Sequence, residues 1–79
     1  MATVNFYAAA RAASGLSVSD FEGQTLAAVI AAASKSFPKL EQILPGCSYL
    51  INGSATLNLD SKVNPSDVID ILPRFAGGS

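Results

Sequence analysis

Hydrophobic and polar residues alternate over residues 3–8, near the start of the chain. The two alternating sets are Val4, Phe6 and Ala8 on one side, and Asn5 and Tyr7 on the other. This period of two predicts a β-strand, because successive side chains of a strand point to opposite faces. Alternation resumes over residues 16–21 and predicts a second strand that completes a hairpin. Between them, the alanine-rich residues 8–14 meet Gly15 and predict a short helical turn closed by a left-handed glycine.

An apolar stripe at spacings of three and four residues predicts the main helix. Its members are Leu26, Val29, Ile30, Ala33 and Phe37. We expect Gln24 or Thr25 to begin this helix. Pro38 is expected to end it, because proline disfavours helical geometry at the residue before it. A shorter helix is expected over residues 39–44, stopping at Pro45-Gly46.

Short strands are expected in the second half of the chain. Residues 49–51 and 54–57 flank Asn52-Gly53, a favoured pair for the positive φ angles of a two-residue hairpin loop. We interpret this pair as turn chemistry alone. Residues 64–67 predict another turn, which delivers the last strand over residues 68–72.

Together these elements predict an α+β domain with a mixed sheet that one main helix covers. The first and last strands are the most apolar, so we expect them to pair at the centre of the sheet. This order of elements fits a β-grasp, which is the ubiquitin-like fold. We therefore expect one β-grasp domain over residues 1–73 and a flexible C-terminal tail over residues 74–79.

Composition and charge narrow the classes of partner. Hydrophobic residues make up 49% of the chain and charged residues 14%, which favours a compact body with a weakly polar surface and protein partners. The net charge of −1, with no basic stripe, argues against nucleic acid as a partner. No apolar run approaches the length of a membrane span, so we expect no membrane contact and a cytoplasmic location.

As a stand-alone enzyme the chain is poorly equipped. It has one cysteine, Cys47, and no histidine, which excludes an internal disulfide and a cysteine-only zinc site. We interpret Cys47 as a small buried or half-buried residue. Asp67 lies in a turn signal and Asp70 on an exposed strand face, so we interpret both as solvated carboxylates.

The diglycine Gly77-Gly78 is the most informative feature of the sequence. Two residues without Cβ atoms can lie extended in a slot too narrow for any other residue. This segment is therefore suited to insertion into the active site of another protein. Phe75 stands among small residues and is a candidate anchor for a pocket on that partner.

Three segments carry a resemblance to a known family. They are Val4-Asn5-Phe6-Tyr7-Ala8 with Arg11 and Gly15, then Ile51-Asn52-Gly53, and finally the run from Pro65 to Pro73 that leads to Gly77-Gly78. In this order they resemble the MoaD/ThiS family of ubiquitin-like sulfur carriers. The opening segment is most similar to that of the molybdopterin synthase small subunit.

The resemblance implies that a ubiquitin-activating-type enzyme, MoeB/ThiF-like, adenylates the carboxylate of Gly78, which is then converted to a thiocarboxylate. A MoaE-like large subunit of molybdopterin synthase would use this sulfur to make molybdopterin. The chain would hold no cofactor or metal, because its partners supply the catalytic side chains. In this sequence, however, the terminal carboxylate belongs to Ser79. Either a protease removes Ser79, Ser79 is foreign to the native protein, or the carrier role is lost, and we expect one of the first two.

Strand alternation predicts a docking surface for these partners. If the apolar residues of the central strands face the helix, the opposite sheet face carries Tyr7, Val68 and Leu72 near the base of the tail. Phe75 and Arg74, which stands where the family commonly has a second proline, complete the predicted partner contacts.

Alternatives from other classes remain open. One is a sulfur carrier of the thiamine or cysteine pathway. Another is a protein modifier that joins its C-terminus to lysines of target proteins. A third is a non-catalytic interaction domain that uses the same fold as an adaptor.

Overall fold

The computed structural model describes residues 1–73 of the chain. Within this range, five strands form one sheet, with the order β2-β1-β5-β3-β4. The strands are β1 Ala2–Phe6, β2 Val18–Phe21, β3 Cys47–Ile51, β4 Ser54–Thr56 and β5 Val68–Pro73. β1 and β5 pair in parallel, whereas the other neighbouring pairs are antiparallel. This confirms the mixed sheet and the central pairing of the first and last strands.

Helices connect the strands and lie against the sheet. They are α1 Ala9–Ser14, α2 Leu26–Ser36 and α3 Pro38–Glu41, followed by a 3₁₀ turn at Leu44–Gly46. The helix predicted to reach residue 44 is shorter than expected. From Leu40 onward the backbone N–H groups bond three residues back, as Ile43 does to Leu40, so the chain winds more tightly than an α-helix.

Local signals set the ends of α2 and α1 as predicted. The Oγ1 atom of Thr25 accepts a hydrogen bond from the backbone N–H of Ala28 at 3.1 Å, which satisfies a free donor of the first helical turn. At the other end, α2 stops before Pro38, with Phe37 as its last capping residue. Gly15 closes α1 with a φ angle of 75°, the left-handed conformation that glycine adopts without steric cost.

The core lies between the helices and one face of the sheet. Its largest fully buried side chains are Phe6, Leu26, Leu40, Ile69, Ile71, Val4 and Val29. Phe6 also meets two other aromatic rings edge to face, with ring centroids 6.3 Å from Phe21 and 5.9 Å from Phe37. Such edge contacts add to the stabilisation that burial of the rings provides. The central strands and α2 are therefore joined by one aromatic and aliphatic cluster.

The first strand begins one residue earlier and ends two residues earlier than its sequence pattern predicts. Ala2 is buried and belongs to β1, whereas Ala8 is exposed and has a φ angle of 50°. The chain turns at this point, because the N–H of Ala10 bonds to the carbonyl of Tyr7 at 2.9 Å and begins α1. The prediction that Ala8 continues this strand, on the face of Val4 and Phe6, was therefore wrong.

The hairpin of β3 and β4 turns at Asn52-Gly53, as predicted. Both residues have positive φ angles, 51° and 85°, which are those of a two-residue hairpin loop. β4 ends at Thr56, because the Oγ1 atom of Thr56 accepts the N–H of Asn58 and starts a turn. Leu57, predicted to continue the strand, is instead 95% exposed.

No helix in residues 1–73 is both long enough and apolar enough to cross a membrane.

Candidate functional site

The chain leaves the sheet at its centre, beside the end of β1. Phe6, the last residue of β1, pairs with Ile71 of β5, and Pro73 at the end of β5 pairs with Cys47 of β3. Four predicted site residues follow Pro73 and lie outside the described residues: Arg74, Phe75, Gly77 and Gly78. The described part of the candidate site is therefore the sheet surface around this exit.

Tyr7 and Leu72 lie next to each other at this exit. The N–H of Tyr7 donates a hydrogen bond to the carbonyl of Ile71 at 3.3 Å, which extends the pairing of β1 and β5 by one residue. Because Ile71 faces the core, alternation turns Leu72 to the opposite face of the sheet. Tyr7 is 38% exposed and Leu72 is half-buried, so the exit has an apolar and partly open border.

Val68 lies on the same sheet face but at the other end of β5. It is 36% exposed and pairs with Thr3 of β1. Leu72 is four positions farther along β5, which is about 13 Å along a strand. The structure therefore brings Tyr7 and Leu72 together and places Val68 apart from them.

A polar band separates the two ends of this face. The side-chain N–H of Asn5 donates to Oδ1 of Asp70 at 2.9 Å, between neighbouring central strands. Asp70 is half-buried and hydrogen-bonded, so it is less exposed than its interpretation as a solvated carboxylate on an exposed strand face predicted. The signal was present in the sequence, since both residues alternate onto the outer face of strands predicted to pair.

Asn52 does more than form a turn. Its side-chain N–H donates to Oδ1 of Asp67 at 2.9 Å, and its Oδ1 accepts the backbone N–H of Val68 at 2.9 Å. The backbone N–H of Asn64 donates to the other carboxylate oxygen of Asp67. Both hydrogen bonds stabilise the charged carboxylate and so lower the pKa of Asp67, and the bond from the backbone of Asn64 has a larger effect than the bond from the side chain of Asn52. The hairpin loop is thereby tied to the start of β5, a role that the sequence interpretation of Asn52 missed.

Cys47 is half-buried, as the sequence predicted. Its thiol donates a hydrogen bond to the carbonyl of Ile43 at 3.2 Å, and burial raises its pKa. A raised pKa keeps the sulfur in its weakly nucleophilic thiol form at neutral pH. Among residues 1–73, no group of three or more histidine, cysteine, aspartate or glutamate side chains is arranged to hold a metal ion.

Comparison with known proteins gives one family match. The model of the ThiS family matches residues 4–78. No curated protein sequence matches the chain significantly.

Solved structures share this fold at low sequence identity. The small archaeal modifier protein 1 of Methanosarcina acetivorans is 23% identical, with a TM-score of 0.89 over 98% of this chain and 95% of its own. A chain of the BexX/CysO complex of Amycolatopsis orientalis is 20% identical, with a TM-score of 0.85 over 99% and 100%. A chain of the complex of subunits 1 and 2 of the Helicobacter pylori molybdopterin-converting factor is 22% identical, with a TM-score of 0.72 over 98% and 97%. The predicted ubiquitin-like β-grasp is confirmed.

Proposed function

Because the chain belongs to the ThiS family of ubiquitin-like sulfur carriers, we propose that Gly78 carries sulfur as a C-terminal thiocarboxylate once Ser79 has been removed. One observation carries this proposal. The family match runs from residue 4 to residue 78, so it ends on the second glycine and leaves Ser79 outside. In this proposal residues 1–73 are the recognition body, and residues 74–79 are the segment that enters a partner.

Activation is needed because a carboxylate is a poor electrophile. In the proposed reaction, an oxygen of the Gly78 carboxylate attacks the α-phosphate of ATP, and pyrophosphate leaves. Hydrosulfide, HS⁻, then attacks the acyl carbon; a carbon–sulfur bond forms, the carbon–oxygen bond to AMP breaks, AMP leaves, and the sulfur gives up its proton to solvent. The resulting thiocarboxylate is the nucleophile that delivers sulfur. A MoeB/ThiF-like enzyme supplies the catalytic groups, and the use of ATP fits a cytoplasmic reaction.

For the sulfur acceptor, we propose the precursor of molybdopterin, with this chain as the small subunit of molybdopterin synthase and a MoaE-like protein as the large subunit. Two observations support this assignment. The first is the opening Val4-Asn5-Phe6-Tyr7-Ala8 segment with Arg11 and Gly15. The second is the structural likeness to a molybdopterin-converting factor chain that forms a complex with a second subunit.

A protein modifier is the second candidate function. It is favoured by the likeness to the small archaeal modifier protein 1, whose TM-score of 0.89 exceeds that of the molybdopterin-converting factor chain. A modifier uses the same activated glycine but transfers it to an amine.

The intact mass of the protein isolated from cells distinguishes these functions. For a sulfur carrier we expect loss of Ser79 followed by a gain of about 16 Da, because sulfur replaces one oxygen of the terminal carboxylate. Discrete conjugates of higher mass that contain this chain would support the modifier instead. A native protein that keeps Ser79 and forms neither product would overturn the proposal.

We propose that partners dock on the border formed by Tyr7 and Leu72, with Arg74 and Phe75 continuing this contact and Val68 lying farther from its centre. Alanine at Tyr7 or at Leu72 is expected to raise the Kd for the adenylating enzyme at least about tenfold, because both residues border the exit of the chain. Val68→Ala is expected to have a smaller effect. Isothermal titration calorimetry with the purified enzyme measures these changes.

Glu22→Ala is the control for this experiment. Glu22 is exposed and follows Phe21, which pairs with Ala2 at the opposite end of β1 from the exit of the chain. Its loss should leave the Kd unchanged. Equal weakening by Glu22→Ala and Leu72→Ala would contradict the proposed position of the docking surface.

A further inference from the structure

The loop between β3 and β4 contains a chemically reactive pair of residues, Asn52-Gly53. A backbone nitrogen can attack the side-chain amide of the asparagine before it, and glycine hinders this attack least because it has no Cβ atom. Within the described residues, nothing lies within 4 Å of the position that a Cβ atom of Gly53 would take. Asn52 and Gly53 are also both exposed to water. The loop therefore brings together the reactants for deamidation of Asn52.

The other asparagines of the chain lack this combination. They are Asn5, Asn58 and Asn64, and they precede Phe6, Leu59 and Pro65. A large side chain on the following residue hinders the approach of its nitrogen, and a proline nitrogen carries no proton to lose. Asn52 is therefore the asparagine that the chain itself attacks fastest once its side chain is free to turn.

Three hydrogen bonds hold Asn52 against the start of β5. Its side-chain N–H donates to Oδ1 of Asp67 at 2.9 Å, and its Oδ1 accepts the backbone N–H of Val68 at 2.9 Å. Its backbone N–H donates to the carbonyl of Val68 at 2.7 Å. The side chain cannot turn back onto the nitrogen of Gly53 without breaking the first two bonds. The bond to Asp67 is the stronger restraint of these two, because its acceptor is charged.

We propose that Asn52 is a deamidation site that Asp67 protects, so that the amide reacts only while its bonds to Asp67 and Val68 are broken. The nitrogen of Gly53 then attacks Cγ of Asn52, and a carbon–nitrogen bond forms. The bond from Cγ to Nδ2 breaks, and Nδ2 leaves as ammonia with the proton that the nitrogen of Gly53 has lost. Water opens the cyclic imide at either of its carbonyl carbons, which leaves aspartate or isoaspartate at position 52.

The product cannot restore the contact with Asp67. A carboxylate at position 52 has no N–H to donate, and it places a second negative charge beside the carboxylate of Asp67. In isoaspartate the main chain also runs through the former side chain, which lengthens a loop whose two φ angles are 51° and 85°. Deamidation therefore separates the hairpin loop from the start of β5 permanently. This inference is independent of sulfur loading.

The rate of deamidation in the folded chain tests the protection by Asp67. We expect Asp67→Ala to raise the rate at Asn52 about tenfold at neutral pH, because the substitution removes the acceptor for Nδ2. Intact-mass spectrometry follows a gain of about 1 Da, since ammonia is lost and water is added, and peptide mapping locates it. Equal rates for Asp67→Ala and the unmodified chain, or a gain at another asparagine, would overturn the proposal.

Two control variants separate loss of this contact from other effects. Asp60→Ala removes an exposed carboxylate from the loop that follows β4, so it matches the change in charge and should leave the rate unchanged. Val29→Ala removes fully buried volume from α2 and weakens the core without touching the bonds of Asn52. It should accelerate deamidation less than Asp67→Ala. Equal acceleration by Val29→Ala would show that the rate follows unfolding of the domain, and the protective role of Asp67 would be wrong.

Discussion

We expect a chain that ends at Gly78 to gain about 16 Da when it is incubated with the adenylating enzyme, ATP and a sulfur donor, because sulfur replaces one oxygen of its terminal carboxylate. The chain that retains Ser79 is expected to take up sulfur at least about 100-fold more slowly. With Ser79 present, the carbonyl of Gly78 belongs to an amide and has no carboxylate to attack ATP. The free carboxylate of Ser79 lies one residue farther along and beside a side chain. Intact-mass spectrometry over a time course measures both rates.

Two substitutions in the chain that ends at Gly78 test whether loading depends on this residue itself or on any change in the tail. Gly78→Ala adds a Cβ atom next to the reacting carboxylate, so we expect slow loading. Ala76→Gly changes a residue of similar size two positions away and should load at a rate close to that of the shortened chain. Comparable loading of the chains with and without Ser79 would contradict the assignment of Gly78 as the reactive residue.

Phe6→Ala is expected to lower the free energy of unfolding by about 3–5 kcal/mol. The side chain is fully buried and meets the rings of Phe21 and Phe37 edge to face. Its removal leaves a cavity where β1, β2 and the end of α2 meet. Because small domains are stable by only about 5–15 kcal/mol, a loss of this size brings the chain close to unfolding at physiological temperature. Urea unfolding followed by far-ultraviolet circular dichroism measures the change.

Two other substitutions serve as references for this loss in the free energy of unfolding. Phe6→Leu keeps much of the buried volume and should cost less than Phe6→Ala. Tyr7→Ala changes the adjacent but partly exposed aromatic residue, and we expect a small effect on stability. A Phe6→Ala variant within about 1 kcal/mol of the unmodified protein would show that the aromatic cluster does not hold the core together.

Elements that local chemistry determines were predicted well from the sequence. The Asn52-Gly53 turn, the start of α2 at Thr25 and the glycine that closes α1 each depend on conformational preferences of a few neighbouring residues. The apolar alternation of the first and last strands was sufficient to predict their central pairing. These features need no knowledge of distant parts of the chain.

Features that depend on register were missed. Asn5 and Asp70 are 65 residues apart in the sequence, and Asn52 and Asp67 are 15 apart, so only the alignment of strands brings each pair together. Grouping Val68 with Leu72 failed for a related reason. Alternation assigns both residues to one face, but it carries no information on the distance between them along a strand.

At the exit of the chain, the parallel alignment of β1 and β5 has a mechanical consequence. The hydrogen bonds between these strands are evenly spaced and lie across the direction in which β5 leaves the sheet. A pull on the end of β5, directed along the strand, therefore loads the ladder in shear and spreads the force over several bonds. Peeling, by contrast, would break them one at a time. We therefore expect the domain to stay folded when tension is applied along β5.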